Sequence, residues 1–427
     1  MRKTALKAVA GLSVLALALT ACSSGDPSPN PSGEPVTLTF QSLSDQPATI
    51  AAVEGIVEAW NSAHPNIQVE IVPVGWDAVY DKLITQFNSG TAPDIIHYEA
   101  SAIVSFADDG YIADLSSVMD PARKADIPAG VLESVTVGGQ LVAYPTELQS
   151  YMVFANRTLL EQAGVTIPTG DTLDWATFRA MSQAATKDGV FGLGWGLKSP
   201  TATFMSLGLG YGGTFFNGTG SNVTIDVTDA ELAVPEQVYQ MAYEDLSLMP
   251  LTLTQSGGEA LAAFYAGQVA MTVQGSYQAA NIAQDAPEGF EWVVLPALEG
   301  SKSAAQSANP QTLSISVDSP HVAEAAQFLD FFTNAENLAA VCEADALIPA
   351  TTSAQRAMET KLASQAGWDV ILSSGQYLEA APFMFANSYQ AWKDTVATPA
   401  FQRYLAGQID KAQLAQELTS GWDTVTS

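Results

Sequence analysis

From Val36 the chain alternates between two hydrophobic periods. Val36-Thr37-Leu38-Thr39-Phe40 sets apolar against polar residues in steps of two, and Ile50, Val53, Ile56, Val57 and Trp60 then recur at helical spacing. Ile67, Val69 and Ile71 return to period two. Val79, Leu83 and Phe87 predict a second helix, ended by Asn88-Ser89-Gly90, and Asp94 to Tyr98 predicts a third strand after Pro93. Strand–helix–strand–helix–strand at this spacing requires parallel pairing through right-handed crossovers. The expectation is an α/β fold with mixed or parallel sheets flanked by helices. Ligands of open α/β sheets bind beyond the carboxyl ends of the strands, which fall here at residues 42–46, 75–77 and 99–101.

Further along, short strands are predicted at Leu141–Tyr144, Tyr151–Phe154, Val269–Val273, Glu291–Leu295 and Leu313–Val317, and helices at Arg157–Ala163, Trp175–Ala185, Gly258–Ala266 and His321–Phe332. Residues 189–220 are rich in glycine and aromatics with little periodicity and read as irregular. From Ala354 the chain is mainly helical. No repeat of fixed period is present.

The N-terminus adds a location. Arg2, Lys3 and Lys7 precede an apolar stretch from Ala8 to Thr20, too short for a stable membrane span and typical of an export signal. Leu19-Thr20-Ala21-Cys22 resembles the lipobox of bacterial lipoproteins, which implies cleavage after residue 21 and a diacylglycerol thioether on Cys22. Residues 22–35, rich in Ser, Pro, Gly and Asn, are expected to be a disordered tether.

Composition then removes several classes of function. The remaining 390 or so residues exceed what one core usually holds, so two domains are expected. With 16 Lys and Arg against 45 Asp and Glu, the chain lacks the cations that nucleic acid or anionic lipid would need. Cys342 is left without a disulfide partner and sits in an apolar helical run, where it reads as a small core residue. His64, His97 and His321 lack metal-ligand spacing. The glycines of Gly208-Leu209-Gly210-Tyr211-Gly212-Gly213 match a dinucleotide pattern but neither follow a strand nor open a helix. There is no phosphate-binding loop and no nucleophile elbow, so neither a catalytic residue, a metal nor a cofactor is expected.

The segments Glu58-Ala59-Trp60-Asn61, Ser89-Gly90-Thr91-Ala92-Pro93-Asp94, Ala143-Tyr144-Pro145, Phe154-Ala155-Asn156-Arg157, Gly267-Gln268-Val269-Ala270-Met271, Gly275-Ser276-Tyr277 and Leu347-Ile348-Pro349 occur in one order. In that order the chain resembles the extracellular solute-binding proteins of family 1, which include maltose- and other sugar-binding proteins. The resemblance implies the two-lobed fold of periplasmic binding proteins (type II), with the ligand in a cleft between lobes. Residues 36–147 plus 312–348 would form the first lobe and 150–308 plus 351–427 the second. The crossings would lie near 147–150, 308–312 and 348–351. It further implies an extracytoplasmic, membrane-anchored monomer that binds a carbohydrate and docks on the permease of an ATP-driven (ABC) importer.

A sugar offers apolar C–H faces and a rim of hydroxyls, so its site needs flat aromatic rings and planar polar groups. Ser42, Asp45, Glu99 and Ser101 follow predicted strands of the first lobe, and Glu147, Gln149 and Asn309 lie at crossings. In the second lobe, Trp195 is a candidate aromatic within residues 191–196, and the resemblance places Gly275-Ser276-Tyr277, and Phe383 with Phe385, where relatives carry aromatic platforms. Trp76 is open to either a ligand or a packing role. Lys198 is one of few cations near the proposed cleft. Two alternatives stand beside this reading: a receptor for a polyamine, peptide or amino-alcohol, and a lipid-anchored glycan-active enzyme using paired carboxylates.

Overall fold

The computed structural model describes residues 35–426 except 77, 78, 221, 363, 364 and 366. The predicted export signal, Cys22 and residues 22–34 of the tether lie outside the described residues. Two main sheets organise the rest. Their strands, in chain order, are β1 (Val36–Ser42), β2 (Ile67–Pro73), β3 (Ile95–Glu99), β4 (Tyr144–Leu148), β5 (Tyr151–Asn156), β6 (Phe191–Gly194), β7 (Val269–Gly275), β8 (Trp292–Val294), β9 (Gln311–Ile315) and β10 (Ile348–Pro349). A six-stranded sheet has the order β10-β4-β9-β3-β1-β2, and a four-stranded sheet has the order β8-β5-β7-β6. The first three strands pair in parallel, with β1 between β3 and β2. β9 enters antiparallel between β3 and β4. In the second sheet β7 runs antiparallel to β5 and parallel to β6.

Each sheet has its own aromatic core. Helix Pro47–Ala63 opens on a proline, whose missing N–H costs nothing in the first turn. It buries Val53, Ile56, Val57 and Trp60. Trp60 meets Phe328 edge-on at 5.5 Å, and Phe40 of β1 lies 6.0 Å from both Phe328 and Phe332. Trp175, Phe178, Trp195 and Phe204 form the corresponding cluster beside the four-stranded sheet.

The chain passes between the sheets quickly. Only Gln149 and Ser150 separate β4 from β5, and Ala308-Asn309-Pro310 lead from the short strand Gln306–Ser307 into β9. After β10 the path differs from expectation. Helix Thr352–Leu362 packs on helix Ala335–Asp345, beside the six-stranded sheet. Ser353 donates to the Asp126 carboxylate through both its N–H and its hydroxyl. The first stretch of the segment assigned to the second lobe therefore stays with the first.

The glycine-rich stretch is also more regular than expected, holding β6 and helix Thr201–Gly208. Its glycines serve close packing. A Cβ on Gly192 would fall 1.9 Å from the Ser182 carbonyl oxygen, and one on Gly196 would fall 2.3 Å from that of Ser256. Among the described residues, no helix is long and apolar enough to cross a membrane.

Candidate functional site

The carboxyl ends of the strands converge on a cavity of about 250 Å³. From the six-stranded sheet it receives Asp45, His97, Glu99, Glu147 and Gln311, and from the other side Gln149 and Tyr277. Sheet register explains part of the grouping. Gln311 on β9 pairs with Glu99 on one neighbour and Glu147 on the other. Side chains at paired positions share a face, so these three stand in a row. Two chambers of about 290 and 130 Å³ adjoin the cavity, and both also contain Glu99.

The first wall stores charge in unusual states. His97 is buried, and its Nδ1 accepts the Leu43 N–H at 3.1 Å while Nε2 lies 2.6 Å from Gln311 Oε1. An acceptor at Nδ1 requires the neutral ring with its proton on Nε2. Burial outweighs the Gln311 bond and brings the His97 pKa down to about 4. Glu147 is 3% exposed and its Oε1 has no hydrogen-bond partner. Burial, with the nearby Asp345 charge, pushes its carboxyl well above the usual range. Asp345 is raised by burial and by Asp45, although the Thr49 hydroxyl donates to it at 3.1 Å. Cys342 is buried as expected, with its thiol pushed up by burial and by Glu147.

The second wall is a scaffold for one ring. Tyr277 is 38% exposed in the cavity. Gly275 makes its position possible, since a Cβ there would sit 2.5 Å from the Tyr277 ring and 2.9 Å from Gln149 Oε1. Ser276 is buried and ties the segment to the crossing. Its N–H donates to the Ser150 carbonyl at 2.8 Å, and its hydroxyl accepts the Ser150 N–H at 3.3 Å. Asn309 ties its crossing to the first wall by accepting the Ser101 N–H at 3.1 Å and donating to Glu99 at 3.4 Å.

Of the twelve side chains and glycines expected at the site, the main cavity takes Asp45, Glu99, Glu147, Gln149, Tyr277 and Asn309. Ser101 lines both side chambers and Phe383 the smaller one, where Phe383 packs 4.8 Å from Tyr389. Phe385 lies instead on a separate groove. Gly275 and Ser276 act behind Tyr277. Ser42 is buried, with its hydroxyl donating to Ser44 at 3.1 Å, and Ser44 reaches the cavity in its place.

Trp195 departs from expectation altogether. It is 2% exposed, stacked 6.4 Å from Trp175 and edge-on to Phe204. Gly192, Gly194 and Gly196 occupy one face of the segment, so Phe191, Leu193 and Trp195 share the other. That alternation was available in the sequence. Lys198 is exposed and lies near enough to Glu259 to lower its carboxyl, after the Ser256 bonds.

Trp76, open to either role in the sequence, and Gln311 and Asp345, which the sequence did not single out, all line the cavity. Trp76 is 37% exposed and stands edge-on to His97 at 6.0 Å. Asp345 carried a signal, because an acid ending a helix opposes the helix dipole. Among the described residues no group of His, Cys, Asp and Glu is arranged to hold a metal.

A cavity between two α/β sheets, walled by strand ends and crossing segments, defines a binding protein of the two-lobed type. The family of bacterial extracellular solute-binding proteins matches residues 44–339, most of the chain, and the chain belongs to it. An uncharacterised lipoprotein from the 5′ region of oleD in Streptomyces antibioticus is 36% identical over 93% of this chain and 87% of its own length. The maltodextrin-binding protein MdxE of Bacillus subtilis is 25% identical over 82% and 81% respectively. The crystal structure of the cyclic alpha-maltosyl-1,6-maltose binding protein from Arthrobacter globiformis superposes with a TM-score of 0.79 at 18% identity, covering 92% of this chain and 99% of that one. The two-lobed periplasmic-binding-protein fold is thereby established.

Proposed function

We propose that this protein captures a carbohydrate, a di- or oligosaccharide, in the cavity between Glu99 and Tyr277 and delivers it to the membrane permease of an ATP-driven importer. One observation carries the reading. Two exposed rings, Trp76 and Tyr277, share a single cavity with the planar groups of Gln149, Asn309 and Glu99. Rings cover the C–H faces of a sugar, and amides and carboxylates meet its hydroxyls. The maltodextrin and cyclic-maltosyl-maltose binders among the relatives support the same choice.

The lobes are read as 36–147 with 312–362, and 150–308 with the remainder of the chain. Gln149-Ser150 and Ala308–Pro310 would act as hinges when the lobes close on ligand. Cys22 would carry the lipid that holds the protein outside the cell, which intact-mass analysis of the membrane fraction tests. The lipoprotein relative supports that anchor.

The function is tested by thermal shift of the chain from Ser23 onward against mono-, di- and oligosaccharides. A ligand at a hundredfold excess over its dissociation constant adds about 2.7 kcal/mol to apparent stability. A selective shift with one sugar class, with the sugar recovered intact, is expected. Turnover of the sugar would instead indicate a glycan-active enzyme, and the absence of any shift would overturn the carbohydrate reading.

A further inference from the structure

The cavity is one-sided in charge. Its titratable lining groups are Asp45, His97, Glu99, Glu147, Tyr277 and Asp345. They come from the loop after β1, from β3, from β4, from the segment after β7 and from the end of helix Ala335–Asp345. Four are carboxylates, the histidine is held neutral, and among the described residues no Lys or Arg lines the cavity. Lys393 lines the smaller adjoining chamber but faces Asp394 at 3.9 Å and the Tyr389 ring at 5.9 Å.

A neutral sugar leaves this arrangement uncompensated. Glu147 is the sharpest case: 3% exposed, lining the cavity, with Oε1 unpartnered by any protein group. A buried carboxylate normally has a cation or several donors. A metal ion does not fit, since no group of carboxylates among the described residues is arranged to ligate one. An ammonium group needs no such convergence. It is satisfied by spaced carboxylates and by the faces of aromatic rings, and Trp76 and Tyr277 present both rings.

Resting on the carbohydrate reading, we infer that the ligand is an amino-saccharide, with a protonated amine held at Glu147 and Asp345 and its ring carbons covered by Trp76 and Tyr277. A cation beside Glu147 favours the ionised carboxylate, so capture of such a ligand releases a proton that a neutral sugar does not release.

The test compares two pairs that differ in amine for hydroxyl, in two linkage geometries. These are chitosan trimer against cellotriose, and 6-amino-6-deoxy-maltotriose against maltotriose, with spermidine as a control for charge without a sugar frame. Calorimetry near pH 7 in two buffers of different ionisation heat reads affinity and proton release together. The expected result is that one amino-saccharide binds at least tenfold tighter than its partner and releases protons. Glu147→Gln should bring that ratio towards one, with native circular dichroism confirming its fold.

Equal or tighter binding of the neutral partner overturns the inference and leaves the carbohydrate reading intact. Binding of spermidine as tightly as either amino-saccharide overturns the sugar frame. Binding of none of the five overturns both.

Discussion

The two walls of the cavity are built on opposite plans. The wall from the six-stranded sheet holds Asp45, Glu99, Glu147 and Asp345 around a neutral His97. The wall from the four-stranded sheet holds one exposed ring, and the polar atoms behind it are already bonded to the crossing at Ser150. The first wall is poised to respond to charge and protons, while the second is poised to respond to shape. Substitutions on the two sides should therefore give different signatures, in pH dependence on one and in packing on the other.

The largest effect is expected behind the second wall. Trp195 fills the core between Trp175 and Phe204 and is 2% exposed. Trp195→Ala should cost about 3–5 kcal/mol of stability in urea denaturation, as buried tryptophans do when truncated. Ligand affinity measured well below the unfolding transition should change far less. A large affinity loss with unchanged stability would place Trp195 at the ligand and break the distinction between the rings.

The next effect belongs to the first wall. The His97 pKa is about 4 in the fold, against 6.5 in the unfolded chain. As pH falls, the unfolded state takes up this proton first. The contribution of a neutral His97 is therefore complete above pH 6.5 and is lost as pH falls towards 4, by about 3 kcal/mol at most. Other carboxylates titrate in the same range, so the clean measurement is a difference. His97→Gln should gain on the wild type by that amount between pH 7 and pH 4 in urea melts. A difference independent of pH would mean that His97 takes up its proton alike in the folded and unfolded chains.

These contrasts also explain what could be read in advance. Period and spacing were enough for the strand that ends in Glu99, because a strand end in an open α/β sheet is a position defined by local pattern, whereas the strand expected at Leu141–Tyr144 lies at Tyr144–Leu148 and Glu147 was placed by the family resemblance. Two-lobed architecture followed from ordered motifs rather than from any single segment. Trp195 failed because aromatic content was weighed without the glycine alternation that sets its face. Asp345 failed for another reason: helix Ala335–Asp345 is set beside the cavity by packing against helix Pro47–Ala63 and the six-stranded sheet, contacts that include residues far apart in sequence. Helix Thr352–Leu362 shows the same limit, since its side of the molecule is decided by docking on a neighbour.

On the second wall, Tyr277→Ala should weaken ligand binding by about 2 kcal/mol, some thirtyfold, as expected for an aromatic anchor. Stability should stay within about 0.5 kcal/mol, because the ring is part-exposed. Calorimetry with the ligand found by thermal shift, paired with a melt, measures both. A stability loss without an affinity loss would make Tyr277 a packing residue and leave the second wall without its ring.

The smallest net effect sharpens the first wall most. Glu147 has its carboxyl raised by burial and by Asp345. As pH rises, the unfolded chain ionises first, so the stability contributed by the protonated form is complete below about pH 4.5 and is lost progressively above it. Glu147→Gln removes that loss but leaves a buried amide where Oε1 now has no partner, at a cost of about 1–3 kcal/mol. The two terms oppose, so the change in melting temperature at any one pH should be modest. Its slope is the informative quantity: the variant should gain on the wild type steadily from pH 4 to pH 8 in ligand-free protein. His97→Gln should drift the other way over the acidic part of that range, losing its advantage as pH rises. Opposite slopes from two residues that share Gln311 as a neighbour would show that this wall holds its acid and its base both neutral, and parallel slopes would show that it does not.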